Sequence, residues 1–349
     1  QTGDGRAVVY SGEDARFEYI YKFISRDKIA TGGAAANREL LDHGVLYVAR
    51  FEADGTGRWL PVVHEQGPLT AANGFADQGE VLIKARQASD ALGATKMDRP
   101  EWLTIDKETG WVYCTLTNNS NRGQNKHPNV DAANPRAYMD VDGKKGAGNP
   151  NGHIIRFKEI DKRSTALGFA WDIFLLGAEE DSGDANLSGL TASNSFSSPD
   201  GLWFSQTTGI CWIQTDDGAF TDETNCMMLA AIPGQVGDGG KVTAKNKMMV
   251  NGAEQTGTQE TFIAAALGEA KLKRFLVAPK GAEVTGITEA DGGRTLFVNI
   301  QHPGELSAAL SAGKPLESLW PGNQGVGPQG RPRSATIVIT RQDGGVIGL

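Results

Sequence analysis

Two segments of the chain repeat one pattern, and this repeat constrains the fold more than any other feature. Residues 99–117 read RPEWLTIDKETGWVYCTLT and residues 198–216 read SPDGLWFSQTTGICWIQTD. In each, a proline precedes an acidic residue, an apolar stretch follows, and a Thr-Gly turn leads into a second, aromatic-bearing stretch. Two extended stretches joined by a glycine-containing turn predict a β-hairpin. A looser third copy spans residues 281–301, with Glu283 at the acid position.

Repeated hairpins are typical of propeller blades, which are small sheets that pack against their neighbours to bury both faces. Residues 45–63, which turn at Asp54-Gly55, predict another hairpin, and further strands are predicted in residues 152–157, 169–176 and 334–341. We therefore expect an all-β chain folded as a β-propeller. Taking about 40 to 50 residues per blade, the chain holds four to five blades' worth of sequence.

Other segments predict short helices or long irregular stretches. Residues 76–92 predict a helix that ends before Pro100, and residues 37–42 predict a shorter one. Residues 118–151, rich in Asn, Gly, Pro and Asp, predict a long surface loop, and residues 234–268 predict an irregular insertion. Composition shows no clear boundary, so a single domain over residues 1–349 is expected.

Charge and cysteine usage exclude several classes of function. The chain has 42 acidic and 34 basic residues, a net charge of −8, whereas nucleic acids and anionic membranes favour a basic face. No apolar run approaches the ~18 residues of a membrane-spanning helix. Cys114, Cys211 and Cys226 lack the CxxC spacing of a structural zinc site and can form at most one disulfide.

The acids of the three repeats are the strongest candidates for a site. The innermost strand of each blade lines a central channel, so Glu101, Asp200 and Glu283 are expected to converge. Converging carboxylates raise one another's pKa unless cations neutralise them. Such hard oxygen ligands suit Ca²⁺, and Fe³⁺ is also compatible. The alternative is that each acid caps a local turn beside its proline.

Three further residues are candidates on weaker grounds. Arg99 stands two residues before Glu101, on the same face of an extended strand, where a guanidinium could bind phosphate or form a surface ion pair. Glu18 lies in an alternating stretch, residues 16–23, and is either solvated or functional. Asp216 ends the second repeat and could be a direct ligand or a supporting residue. His153 and His302 are each interpreted as structural histidines.

The segments that carry a family resemblance occur in order along almost the whole chain. They are residues 16–23 (RFEYIYKF), 97–102, 198–204, 283–286 and 297–305 (FVNIQHPGE). In these segments the chain resembles the PhoX alkaline phosphatases, a family of exported propeller proteins. The resemblance implies a six-bladed propeller, export through the twin-arginine route to the periplasm or cell exterior, and hydrolysis of phosphate monoesters by an iron and calcium cluster.

The resemblance also implies roles for individual residues. Arg99 matches a phosphate contact, and Glu101 lies beside it as a second catalytic candidate. The positions that match metal ligands are Glu18, Glu101, Asp200, Glu283 and, on weaker grounds, Asp216.

One departure from the family pattern leaves other functions open. The family's N-terminal Trp-Leu-Thr-Cys-Glu-Glu type motif, which supplies iron ligands, is not found here, and Cys114 stands in a different context. We therefore expect a propeller domain that lacks its N-terminal portion and that associates with this portion or with copies of itself. The alternatives are a non-catalytic calcium-binding module and a calcium-dependent propeller lactonase or esterase.

Overall fold

Antiparallel β-strands make up most of the fold, as the repeat predicts. The computed structural model describes residues 3–139, 147–219, 223–308, 313–327 and 330–349. Within these ranges the strands form four antiparallel units, consistent with the four to five blades predicted.

The first two units share one sheet. The first unit, in spatial order, consists of β1 (Arg6–Gly12), β2 (Ile20–Lys28), β3 (Gly44–Phe51) and β4 (Thr56–Pro61). The second consists of β5 (Pro100–Ile105), β6 (Val112–Leu116), β7 (His153–Glu159) and β8 (Gly168–Leu176). The last strands of the two units, β4 and β8, pair with each other over a short stretch.

The third and fourth units are separate sheets. The third consists of β9 (Pro199–Phe204), β10 (Cys211–Thr215), β11 (Met227–Ala231) and β14 (Leu272–Val277), with the hairpin of β12 (Gly240–Val250) and β13 (Ala253–Ile263) inserted before its last strand. The fourth consists of β15 (Glu283–Ala290), β16 (Thr295–Gln301) and β17 (Ala335–Thr340). The three sequence repeats are therefore the hairpins β5–β6, β9–β10 and β15–β16, as predicted.

Successive units pack face to face, which is the arrangement of propeller blades. Their first strands touch in series, β1 against β5, β5 against β9 and β9 against β15. Between the first two units, the ring centroids of Trp59 and Phe157 lie 5.7 Å apart, and between the next two, those of Tyr113 and Phe204 lie 5.1 Å apart. Trp212 belongs to a cluster that joins the third unit to β15 and β16. The predicted all-β propeller class is confirmed.

Helices are few and short. Residues 76–92 form two helices rather than one, because the backbone leaves helical geometry at Lys84; Asp77 caps the first by accepting a hydrogen bond from the Glu80 N–H. The prediction of a helix at residues 37–42 is wrong, since the local helix lies earlier. The helices are α1 (Gly33–Ala36), α2 (Gln78–Ile83), α3 (Ala85–Leu92) and α4 (Gly268–Lys271), with 3₁₀ turns at Ala71–Asn73, Ile160–Lys162, Gly183–Ala185 and Gly322–Gln324. None of the described helices is long and apolar enough to cross a membrane.

The prediction of an irregular insertion at residues 234–268 is wrong. Most of this stretch is the hairpin of β12 and β13, with strands of 11 residues each. Its turn is Asn251-Gly252, with φ angles of 53° and 78°. An Asn-Gly pair at positive φ is a strong hairpin signal, because this turn matches the twist of the two strands.

The prediction of a surface loop at residues 118–151 is also wrong for its described part, while residues 140–146 lie outside the described residues. This segment is irregular but largely buried. Arg136 is fully buried and donates hydrogen bonds to the carbonyls of Gly152 and Gly177, and Arg122 pairs with buried Asp98 at 2.9 Å. The polar composition suggested an exposed loop, whereas here polar side chains form hydrogen bonds to buried backbone groups that have no strand partner. All three cysteines are free and buried.

Candidate metal centre

The backbone makes the same turn before each repeat acid. The residue two positions earlier has positive φ in every repeat: 58° at Arg99, 48° at Ser198 and 66° at Gly281. This conformation is easy for glycine but costs other residues about 1 kcal/mol. Hydrogen bonds hold the turn, since the N–H of Thr117 donates to the Arg99 carbonyl and that of Asp216 to the Ser198 carbonyl. The repeat thus places each acid in an equivalent position near the start of its strand.

Three carboxylates converge at this end of the strands. Asp200 and Glu283 come from the acid position of their repeats, and Asp216 directly follows β10. One oxygen from each of the three lies within 4.8 Å of the others. Asp200 and Glu283 are buried and Asp216 is half-buried. This spacing is suited to three ligands of one cation.

Burial raises the pKa of each member of this group, and the charges of other members add to the shift at Asp200 and Glu283. Burial, followed by the charges of Glu283 and Asp216, raises the pKa of Asp200 to about 7. Burial and the charge of Asp216 raise the pKa of Glu283, although His302 opposes the shift. Burial also raises the pKa of Asp216. A cation would relieve this repulsion and allow all three to ionise.

Glu101, the acid of the first repeat, lies beside the group of three carboxylates but is not one of its members. Burial, a hydrogen bond with Asp14 and the charge of Asp200 together raise the pKa of Glu101 to about 9. Its Oε1 lies 4.0 Å from Nη2 of Arg99. Glu101 therefore connects the carboxylates to the guanidinium, as its position two residues after Arg99 predicts.

The Arg99 side chain is held by two partners that the sequence did not indicate. Its Nε donates to Oδ1 of Asp14 at 2.8 Å and its Nη2 to Oδ2 at 3.1 Å. Its Nη1 donates to Oδ1 of Asn118 at 3.1 Å. Burial would raise the pKa of Asp14, but the hydrogen bonds from Arg99 and Glu101 lower it. This carboxylate stays charged beside the guanidinium.

The two isolated histidines have different surroundings. His302 follows β16, as Asp216 follows β10, and its Nε2 lies 3.4 Å from Oε2 of Glu283. Asp216 and His302 both follow the second strand of their repeat, and this equivalence in the sequence could have indicated the contact. His153 is fully buried, and its ring nitrogens lie within hydrogen-bond distance of the Ala133 carbonyl and the Asn149 amide. His153 thus has a structural setting and His302 borders the site.

Glu18 is not a member of the group of three carboxylates. It is buried rather than solvated, and its Oε1 pairs with Nη1 of Arg86 at 2.8 Å. Burial raises the pKa of Glu18, with the charge of Arg86 opposing. The alternating stretch at residues 16–23 is a strand only from Ile20, and its faces do not alternate between core and solvent, because both are covered. Tyr21 packs in the cluster that includes the helices, while Ile20 packs against the second unit and Lys22, on the same face, is buried.

The fold and this site define a class: propeller proteins that gather carboxylates and an arginine at the starts of their blades. The family model for "Alkaline phosphatase PhoX" matches residues 1–304. The chain belongs to the PhoX alkaline phosphatase family.

A solved structure supports the same assignment. It is described as "Pseudomonas fluorescens PhoX in complex with vanadate, a transition state analogue", and is 38% identical to this chain with a TM-score of 0.76. The match covers 100% of this chain and 53% of that one, so the chain spans about half the length of its solved relative. No curated protein matches the sequence.

Proposed function

We propose that the chain forms a metal-dependent site that hydrolyses phosphate monoesters. The observation that carries this proposal is the convergence of Asp200, Asp216 and Glu283 within 4.8 Å, next to Glu101 and Arg99. Membership of the PhoX family supports it, as does the vanadate held by the solved relative.

The donor set fits the proposed Ca²⁺ and Fe³⁺. All the converging ligands are carboxylate oxygens, which these hard cations prefer. Burial and, after it, the charges of neighbouring carboxylates raise the pKa of Asp200 and of Glu283, which supports a cation at this place. Asp200, Asp216 and Glu283 would hold a cation, with Glu101 at its edge. For Glu18, which pairs with Arg86, the support is the family resemblance alone.

Arg99 and Glu101 would act on the substrate from one side of this group. When bound, the cations would neutralise phosphate oxygens and activate an oxygen nucleophile. Arg99 would bind two phosphate oxygens through parallel N–H groups and stabilise the charge that develops in the transition state. Glu101, 4.0 Å from Arg99, would keep the guanidinium and the cations in one arrangement around the phosphate.

Family membership supports three further proposals about the whole molecule. We propose that the protein is exported to the periplasm or the cell exterior. Residues 1–349 would form one propeller domain, which associates with further polypeptide or with copies of itself. In the part of the chain that the structure describes, β17 pairs only with β16, and this supports association, because an unpaired strand edge is a template for another strand.

The test is hydrolysis of p-nitrophenyl phosphate by protein supplied with calcium and ferric iron. Arg99→Ala and Glu283→Gln are each expected to lower kcat/KM on the order of 10²-fold, because each removes charge stabilisation from the transition state. Arg163→Ala is the matched control, since its guanidinium is exposed and pairs only locally with Asp161. A chelator should abolish activity.

Other outcomes would contradict the proposal in distinguishable ways. Bound calcium without any hydrolysis would favour a non-catalytic calcium-binding module. Cleavage of a lactone with calcium alone would favour a propeller lactonase or esterase. Hydrolysis of p-nitrophenyl phosphate that survives both the chelator and Arg99→Ala would place the activity elsewhere.

A further inference from the structure

The connection between β1 and β2 supplies a carboxylate that fixes the orientation of Arg99. Asp14 lies 85 residues before Arg99 in the sequence, yet both of its carboxylate oxygens accept hydrogen bonds from the guanidinium. The Arg99 side chain is mostly covered, whereas that of Asp14 is partly exposed. Asp14 therefore holds the Nε and Nη2 edge of the guanidinium and does not contact Nη1.

Asp14 contacts only one of the two edges of the Arg99 guanidinium that can bind a pair of oxygens. A guanidinium has two bidentate edges, one formed by Nε and Nη2 and one by the two Nη groups. Asp14 occupies the first edge, with distances of 2.8 and 3.1 Å. Nη1 and Nη2 each retain one further N–H, and Nη2 faces Glu101 at 4.0 Å. The edge formed by the two Nη groups is therefore the one that borders Glu101.

Asn118 restrains the guanidinium from a second direction. Its Oδ1 accepts from Nη1 of Arg99, while its Nδ2 donates to Oγ of Ser198 at 3.1 Å. Ser198 in turn donates to Oδ1 of Asp217 at 2.8 Å. This chain of hydrogen bonds fixes which end of the Asn118 amide faces Arg99, so the oxygen, not the nitrogen, is presented to the guanidinium.

We propose that Asp14 is a positioning residue, which holds the Nε edge of Arg99 so that its Nη edge meets a bound tetrahedral oxyanion. This inference rests on the proposed function, in which Arg99 contacts phosphate. Asp14 itself does not touch the substrate. It acts by keeping an otherwise flexible side chain in its binding orientation before the ligand arrives, which reduces the entropy lost on binding.

The test is calorimetric titration of inorganic phosphate into calcium-loaded protein. Asp14→Ala is expected to weaken phosphate binding about tenfold, because the guanidinium is no longer held in place. In an Arg99→Ala background the same substitution should have no further effect. Asp4→Ala is the matched control, since Asp4 also accepts hydrogen bonds from Nε and Nη2 of an arginine, Arg6, at 2.9 and 2.8 Å, both on its Oδ2. Thermal unfolding of each variant verifies that it is folded.

Two results would overturn the role of Asp14 while leaving the proposed function intact. One is unchanged phosphate affinity in Asp14→Ala. The other is an equal loss in the Arg99→Ala background, which would mean that Asp14 acts on the carboxylates rather than through Arg99.

A second measurement does not depend on phosphate binding at all. The Arg99 Nε–H resonance, assigned by its loss in Arg99→Lys, should exchange slowly with water in the unsubstituted protein and fast in Asp14→Ala. Absence of phosphate binding by the unsubstituted protein would contradict the proposed phosphate contact, and this resonance would still decide the positioning role. An unchanged exchange rate in Asp14→Ala would overturn it.

Discussion

The protonation of the Asp200 carboxyl depends on the charges around it. Its burial and the charges of Glu283 and Asp216 make an unpaired carboxylate unfavourable there, which raises the pKa of Asp200 to about 7. Without a cation, a proton relieves the repulsion at low pH, and at high pH the repulsion destabilises the fold. With a cation, the same charges become favourable. If the proposed cation binds here, it and a proton would compete for this residue.

This competition predicts how the stability of the chelated protein depends on pH. The pKa of Asp200 rises from 3.8 in the unfolded chain to about 7 in the fold, so the native state holds more protons between these values. Its contribution to stability is present below the lower value and is lost as pH rises through the window. In EDTA, the Tm of Asp200→Asn should therefore gain on that of the unsubstituted protein between about pH 5 and about pH 8. A constant difference in Tm, measured by scanning calorimetry, would contradict this.

The sequence allows prediction of those site residues that occupy equivalent positions in the repeats. Asp200 and Glu283 could be predicted to converge because the same turn precedes each. Asp14 could not, since it meets Arg99 across two different units and belongs to no repeat. Asn118 could not be predicted either. It lies in a stretch rich in Asn, Gly, Pro and Asp, which suggested a surface loop, whereas the fold places it beside Arg99.

The hairpin of β12 and β13 shows how a single turn defines an element. Its strands alternate polar and apolar residues too weakly to predict a hairpin, although Ala244, Asn246 and Met248 are all buried on one face. The Asn251-Gly252 turn is the clear local signal, and both of its residues have positive φ. This element could therefore have been predicted from the turn rather than from hydrophobic periodicity.

Substitution of the turn glycine should weaken this hairpin specifically. Gly252 has a φ of 78° and no atoms close enough to contact an added Cβ, so Gly252→Ala adds backbone strain without a clash. We expect a loss of about 1 kcal/mol, read as faster hydrogen exchange of β12 and β13 amides. Gly240→Ala is the matched control, because Gly240 also has open space but lacks positive φ. Equal effects of the two substitutions would contradict the account.

A buried ion pair links the first two units. Nζ of Lys22, in β2, lies 2.7 Å from Oε1 of Glu159, at the end of β7, and both side chains are buried. Tyr10 and Trp59 also donate hydrogen bonds to Glu159. Because the carboxylate is satisfied by all three donors, loss of one donor leaves a charge in a site that excludes water.

Removal of the Lys22 ammonium should lower the free energy of unfolding far more than removal of an exposed ammonium. Lys22→Met is expected to lower the free energy of unfolding by about 3 to 5 kcal/mol, measured with urea. The matched control, Lys241→Met, breaks the exposed pair with Glu260 and should cost under about 1 kcal/mol. Burial raises the pKa of Glu159 and Lys22 opposes the shift, so the loss should be smaller at acidic pH, where Glu159 can take up a proton. Similar losses for the two variants would contradict a link through this pair.

Over the whole molecule, the packing of neighbouring blades brings residues of separate repeats into one site. Each pair of neighbouring units shares a buried hydrophobic cluster, and this packing brings together Asp200 and Glu283, which are 83 residues apart in the sequence. The repeat predicted the hairpins and their class of fold. It could not predict the pairing of β4 with β8 or the distances between acids, because these depend on contacts between blades.

Equilibrium dialysis with radioactive calcium tests directly whether the three converging carboxylates bind a cation. We expect saturable binding that is lost in the triple variant Asp200→Asn, Asp216→Asn, Glu283→Gln. A control variant with the same change in net charge, Asp27→Asn, Asp54→Asn, Asp343→Asn, alters only acids that are fully exposed and should bind as the unsubstituted protein does. Equal calcium binding by the two triple variants would contradict the claim that the three converging carboxylates form a cation site.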